Sequence, residues 1–350
     1  MSICSRSRNF EPDAQGDRVN QSAQPTGLKT SKLPASEDVR LALRAATMYH
    51  LEGATQAEIA AKLGVSRPTA GRLLARARTQ GLVRVEILVP PELEGSVNTE
   101  LESKLEKHFG LAEVLIVPEA ISDADDPDFD ALGRRAAEVL VRRLQPSSVL
   151  GFTWGPETVA VAGSLPDKAA KCSAVVQLDG SMTVTDYQTG VDFTIGRCAQ
   201  QLQANPIRLS APLYADPATV ESMRNDSVIS KALQAGTDSD IMVFGVGAVS
   251  TATTLFAGSF VDSTMLDELE SRGAVGEIGG RFYTVDGNPV EGPLPERTVS
   301  VSLDAVKSCD QTILISGGTH KRQAVLGALR GGLANVLVTD VDCAQWLLEG

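Results

Sequence analysis

Three glycine-rich stretches hold the residues of this chain that could do chemistry on a small ligand. GFTWGPET (151–158) sets Thr153, Trp154 and Gly155 at the end of an apolar run and Thr158 in the first turn of the helix that follows. Hydroxyls and exposed N–H groups converge there. FGVGAVS (244–250) offers Gly245 and Gly247 where a backbone must come close to something. SGGTHKRQAV (316–325) places Gly317, Gly318 and Thr319 before a helix, with Lys321 near its N-terminus. Backbone N–H groups beside one cation form an anion nest, and a phosphate ester fits such a seat. No Walker loop is present, and GxGxxG followed by a distant acid is absent, which disfavours a nucleotide.

A second chemistry lies in GATQAEIAAKLGVSRPTAGRLLARA (53–77). Gly53 can close one helix with positive φ, and Thr55 with Glu58 three residues on forms a capping box that opens the next. Gly64 ends that helix at a sharp turn, Ser66 is a good N-cap, and Pro68 falls in the first turn of the helix it caps. Ala70, Leu73, Leu74 and Ala77 then make a buried stripe, while Thr69, Arg72 and Arg76 share an outer face that can enter a major groove. From Thr55 to Arg84 there are six basic residues, Lys62, Arg67, Arg72, Arg76, Arg78 and Arg84, against the single acid Glu58. The candidates for contact with double-stranded DNA are Thr55, Gln56, Ser66, Arg67, Pro68, Thr69, Arg72 and Arg76. Gly71 costs about 1 kcal/mol inside a helix and has no evident reason in the sequence.

These sites need two kinds of scaffold. Residues 1–36 are polar and without apolar periodicity, and are expected to be a disordered arm. Residues 37–90 make the helix-turn-helix domain: a first supporting helix over 37–51, the capped pair, and a short strand or wing at 82–89. Leu93, Val97, Leu101, Leu105 and Phe109 recur every four residues, which predicts a linker helix over 91–109. Its narrow stripe suits either a second copy of itself or its own effector domain. From 110 to 350 apolar runs at 112–118, 148–155, 174–181, 206–215, 240–247, 311–318 and 335–340 alternate with helical segments. That pattern predicts a doubly wound, Rossmann-like parallel sheet covered on both faces, with ligands outside the carboxyl ends of its strands.

Charge divides the same way. The chain of 350 residues has a net charge of −12. Residues 1–90 contain 13 Lys and Arg against 8 Asp and Glu, a net of +5, which leaves −17 on the remainder. Only the first part suits a polyanion. Five scattered cysteines without a CxxC pair and three histidines give no metal-site spacing. No apolar run reaches the roughly 20 residues of a membrane span, and no secretory signal is present, so a cytoplasmic protein without cofactor or metal is expected.

The helical pair with ARTQGLVRVEI after it, followed by GFTWGPET, FGVG, GEIGGRFYTVDG and GGTHKRQAVLGALRGGLANVLVTD, resembles the SorC/DeoR-type sugar-binding transcriptional regulators of bacteria. The likeness covers about residues 38–350. It implies an N-terminal helix-turn-helix and an effector domain similar to sugar-phosphate isomerases and deaminases. It also implies a dimer or tetramer whose hold on an operator changes when a phosphorylated sugar or polyol binds. By matching motif, Thr153, Trp154, Gly155 and Thr158 look like the phosphate-side loop and Lys321 its cationic partner. Gly180 and Ser181 occupy a loop that faces the sugar in the family, and Glu277 is a candidate for its hydroxyls. Thr284 stands where members commonly have an acid, and Ala70 with Gly71 replaces the usual Val and Ser. An isomerase or deaminase with an appended DNA-binding segment would need a general base, for which Glu277 is the candidate, and an acid or ring-opening histidine. His320 is the one histidine near a site loop, so no catalytic residue is assigned.

Overall fold

The structure, a computed structural model, describes residues 35–85, 98–122, 128–181, 183–184, 187–188, 190–250, 255 and 261–349. The chain divides into two compact units, Met1–Leu88 and Val89–Gly350. Residues 1–34 of the arm expected over 1–36, most of the wing, and Leu93 and Val97 of the linker stripe lie outside the described residues; the last two residues of that arm already belong to a helix.

In the first unit α1 (Ala35–His50), α2 (Gln56–Leu63) and α3 (Arg67–Thr79) form a three-helix cluster. Thr55 and Glu58 complete the capping box at α2, and Gly64 ends it at φ 66°. Ser66 Oγ accepts from the Thr69 amide and starts α3. The core is Ala42, Ala45, Ala46, Met48, Ile59, Ala60, Ala70, Leu73 and Ala77. Alanines at the crossings let helix backbones approach closely, which a bulkier stripe would prevent. A Cβ on Gly71 would lie 3.6 Å from Gln56 Oε1, an ordinary contact, so nothing in the structure requires glycine there.

The second unit begins with α4 (Thr99–Phe109). Then come β1 (Glu113–Val117), α5 (Asp130–Arg143), β2 (Val149–Phe152), α6 (Pro156–Ser164) and β3 (Ala174–Gln177). The short strands β4 (Thr183–Val184) and β5 (Tyr187–Gln188) pair with each other in a separate sheet, ahead of α7 (Val191–Gln201) and β6 (Asn205–Ile207). Next are α8 (Pro217–Asn225), α9 (Ser227–Thr237), β7 (Ile241–Phe244), β8 (Gly247–Ala248), α10 (Ser263–Ser271), β9 (Ala274–Ile278) and β10 (Arg281–Thr284). The last part contains α11 (Leu294–Arg297), α12 (Leu303–Ser308), β11 (Gln311–Ile315), α13 (Arg322–Arg330), β12 (Val336–Asp340) and α14 (Val341–Glu349).

Seven strands form one parallel sheet in the order β1-β12-β11-β7-β2-β3-β6. Successive side chains go to opposite faces, as strand geometry dictates. Ile241, Val243, Ile313, Ile315, Val336 and Val338 join one core with α5, α6 and α7. Met242, Phe244, Leu314 and Leu337 join the other with α4, α12, α13 and α14. The protein is therefore α/β, with a helix-turn-helix unit followed along the chain by a three-layer domain.

One expectation changes. The run at 206–215 is a strand only over β6, because its later residues leave the sheet for isolated bridges of Pro212 to Ser181 and Tyr214 to Thr298. Of the two partners left open for the linker stripe, its described residues take the effector domain: Leu105 is fully buried, and Leu101 and Phe109 pack with it into the α4 side of the domain. β9 and β10 form a hairpin whose turn residues Gly279 (φ 54°) and Gly280 (φ 76°) both take positive φ, a conformation that glycine adopts without strain.

Candidate functional site

The chain lays β2, β3 and β6 to one side, then returns to place β7, β11 and β12 on the other side of β2. The strand order thus reverses between β2 and β7, and the crevice for a ligand opens beyond the carboxyl ends of those strands. Thr153–Thr158 follow β2, Asp179 follows β3, Gly245 and Gly247 follow β7, and Gly317–Lys321 follow β11. Glu277 is brought in by the β9 side of the hairpin, through pairing of β9 with β8.

Carboxylates of the chain itself meet the glycines of these loops. A Cβ on Gly245 would stand 2.9 Å from Glu157 Oε2, and one on Gly155 3.4 Å from the same oxygen. Gly247 faces the Glu277 carboxylate, Gly279 is 3.3 Å from Asp179 Oδ2 by the same measure, and Gly317 faces Asp340. The Gly318 amide donates to Asp340 Oδ2 at 2.6 Å, and the Cys343 amide donates to Oδ1 at 2.8 Å. The backbone was left bare at these points, as expected, but buried acids of this chain occupy the space.

Lys321 is the cation at the centre. Its ammonium donates to Glu157 Oε1 and lies 5.5 Å from the centroid of the Phe129 ring. The pair is buried, with side chains 13% and 3% exposed for Lys321 and Glu157. Glu277 accepts from the Gly280 amide at 2.7 Å. Burial pushes its carboxyl up to about 7, with Glu157 adding to the rise and the Gly280 amide and Lys321 opposing it. Asp179 accepts from the Trp154 amide at 3.2 Å, and burial holds its carboxyl well above the ordinary range, helped by Glu277. The site offers protonated or ionised carboxylic acids to hydroxyl groups, and one ammonium to an anion.

Not every expected residue reaches this centre with a free group. The Thr158 hydroxyl is buried and donates to the carbonyls of Thr153 (3.0 Å) and Gly155 (2.9 Å), so it shapes the turn. Gly180 is a packing glycine: a Cβ there would collide with the Pro212–Leu213 backbone, 2.6 Å from the Leu213 nitrogen. Ser181 accepts from Gln177 Nε2 at 3.1 Å, and the same amide group holds the Asp179 carbonyl. Trp154 packs between two cores, and its buried Nε1 has no hydrogen-bond partner among the described residues. Sequence reasoning missed Glu157, Asp179 and Asp340. The signal for Asp179 and Asp340 was an acid at the tip of an apolar strand, and for Glu157 an acid in the first turn of an otherwise apolar helix.

In the first unit Arg67, Pro68 and Arg72 are exposed at the start of α3, and Gln56 is exposed at the start of α2. Thr55 is occupied by the capping box, its amide donating to Glu58 Oε2 at 2.7 Å. Ser66 and Thr69 hydroxyls lie 2.9 Å apart, and Arg72 reaches Thr69 Oγ1 at 3.3 Å. Arg76 differs from Arg72: it is held by Asp38 of α1 at 2.6 Å. Among the described residues no group of histidine, cysteine and acid side chains is placed to hold a metal, and no helix is long and apolar enough to cross a membrane.

Residues 94–349 match the sugar-binding domain family, and residues 45–88 match the MarR family. The chain belongs to the SorC/DeoR-type sugar-binding transcriptional regulators. It is similar to the deoxyribonucleoside regulator of Bacillus subtilis, at 31% identity over 314 residues that cover 89% of this chain and 98% of that one. It is also similar to the sorbitol operon regulator of Klebsiella pneumoniae, at 29% identity over 90% of this chain and 99% of the relative. The crystal structure of that full-length regulator, SorC, covers 89% of this chain and 99% of its own, with a TM-score of 0.65 and 28% identity. These relatives are named as regulators and not as enzymes, and this regulator shares both of its parts with them.

Proposed function

We propose that this regulator acts on a carbohydrate-metabolism operon in the cytoplasm, as a homo-oligomer, dimer or tetramer, that grips operator DNA with α3. A phosphorylated sugar or polyol is its effector. Arg67 and Arg72 meet the duplex, and the capped N-terminus of α3 holds a phosphate. In the effector unit Glu277 and Asp179 take sugar hydroxyls, while Lys321 takes the phosphate. The observation that carries this reading is the placement of Lys321, Glu277 and Asp179 together at the strand-order reversal. The ligand changes the grip only through a difference in affinity for two states, of about 1 to 3 kcal/mol in typical cases.

The test is a panel of phosphorylated pentoses, hexoses and polyols, each beside its unphosphorylated parent. One phosphorylated member should raise the thermal midpoint, since a ligand of the folded state alone stabilises by RT ln(1 + [L]/Kd), and it should shift operator affinity. A response to the parent compound alone would remove the phosphate from the proposal, and turnover of any member would restore the isomerase or deaminase alternative.

A further inference from the structure

Lys321 is an anchored cation whose partner is already supplied. Glu157 enters from the first turn of α6, and its carboxylate lies against the bare backbones of Gly155 and Gly245. The side chain is 3% exposed, so it gains nothing from water in that position. Two further groups of the expected anion site are engaged too: the Gly318 amide by Asp340 and the Thr158 hydroxyl by backbone carbonyls. An effector phosphate therefore meets a cation that already has a partner.

We propose that Glu157 is an internal stand-in for the effector's phosphate, seated on Lys321 in the free protein, so that binding exchanges one anion for another and Glu157 sets the selectivity for phosphorylated ligands. This rests on the proposed phosphorylated effector. Coulomb's law gives the direction. A phosphate brought to Lys321 while Glu157 stays would place two anions on one buried ammonium, beside Glu277 as a third acid. Glu157 must leave, and its departure is an opposing contribution that every phosphorylated ligand meets and no neutral sugar does. Lys321 also lies 5.5 Å from the centroid of the Phe129 ring, a contact that does not depend on Glu157. The residue thus acts as a filter, rejecting weak anions that cannot displace a buried carboxylate.

The test uses the full chain and three forms: wild type, Glu157→Gln, and Lys321→Met. Glu157→Gln keeps the shape and a neutral acceptor for the ammonium. Calorimetric titration with inorganic phosphate, with the sugar phosphate panel and with the unphosphorylated sugars is compared across them, after urea unfolding confirms that each form is folded. Glu157→Gln should bind phosphate and sugar phosphates at least about tenfold more tightly than wild type, leave neutral sugars within about twofold, and Lys321→Met should lose the phosphate-dependent part. Equal or weaker phosphate binding by Glu157→Gln overturns the proposal. If sugar phosphates bind wild type through Lys321 and Glu157→Gln gives no gain, the exchange fails while the phosphorylated effector stands. If none of the forms binds phosphate or any sugar phosphate, and a neutral sugar binds them all, both fail.

Discussion

The two units of this regulator hold their cations in opposite ways. Arg72 projects from α3 with a hydroxyl in reach, exposed to solvent and able to reorient. Lys321 is fixed by a buried carboxylate and an aromatic ring. An exposed guanidinium attracts a polyanion over a Debye length, and its contribution fades with salt. A buried ammonium paired with a carboxylate presents little net charge to solvent, and a second anion reaches it by displacing that partner. In the function and the exchange proposed above, one chain recognises phosphate twice by unlike physics, once through open electrostatics and once through exchange.

The largest effect should come from the buried side. Lys321→Ala leaves the buried Glu157 without its partner, and removing one partner of a buried pair costs about 3 to 5 kcal/mol. Urea unfolding of the full chain reads this directly; a destabilisation under about 1 kcal/mol would mean that the pair is screened like a surface one and would erase the contrast. Next comes pH. Glu277 has an ordinary carboxyl near 4.5 when unfolded and near 7 when folded, so the native state holds the proton more tightly. Its stabilising contribution is complete below the unfolded value and disappears as pH rises through the folded one. Between about pH 5 and pH 8 wild type should lose up to about 3 kcal/mol more than Glu277→Gln. Parallel pH profiles for the two would show a solvated carboxyl.

The smallest effect lies on the open side and divides it. Arg72→Ala should flatten the log–log salt dependence of operator binding by about 0.9 for one phosphate no longer neutralised. Arg76→Ala should do less, because Arg76 must first leave Asp38, an exposed pair with side chains 43% and 35% exposed that is worth under about 1 kcal/mol. Equal slopes for the two variants would place Arg76 on the duplex after all.

The sequence made the scaffold legible where signals are local. Each of the seven expected apolar runs coincides with a strand of the main sheet over at least part of its length, because strands buried on both faces must be continuously apolar. The caps at Thr55, Gly64 and Ser66 follow from neighbours three or four residues away. The β9–β10 hairpin entered the sequence reading only as GEIGGRFYTVDG in the family resemblance, since its strands lack a long run. What stayed hidden is pairing at a distance. Lys321 and Glu157 are 164 residues apart, and Arg76 and Asp38 are 38 apart. Glycines beside strand tips announce that something approaches the backbone; whether that is a ligand or the chain's own acid depends on contacts that no local pattern encodes.

Trp154 turns this arrangement into its own reporter. The chain has two tryptophans, and the other, Trp346, packs among the residues on the α4 side of the sheet. Trp154 adjoins Asp179 through its amide, and a buried indole N–H lacking a partner is worth about 1 to 3 kcal/mol of unmet hydrogen bonding. A hydroxyl or water that reached it would meet that demand and redden its fluorescence, so a colour change on adding a sugar phosphate would report, without a label, that the ligand acts at the Trp154 loop.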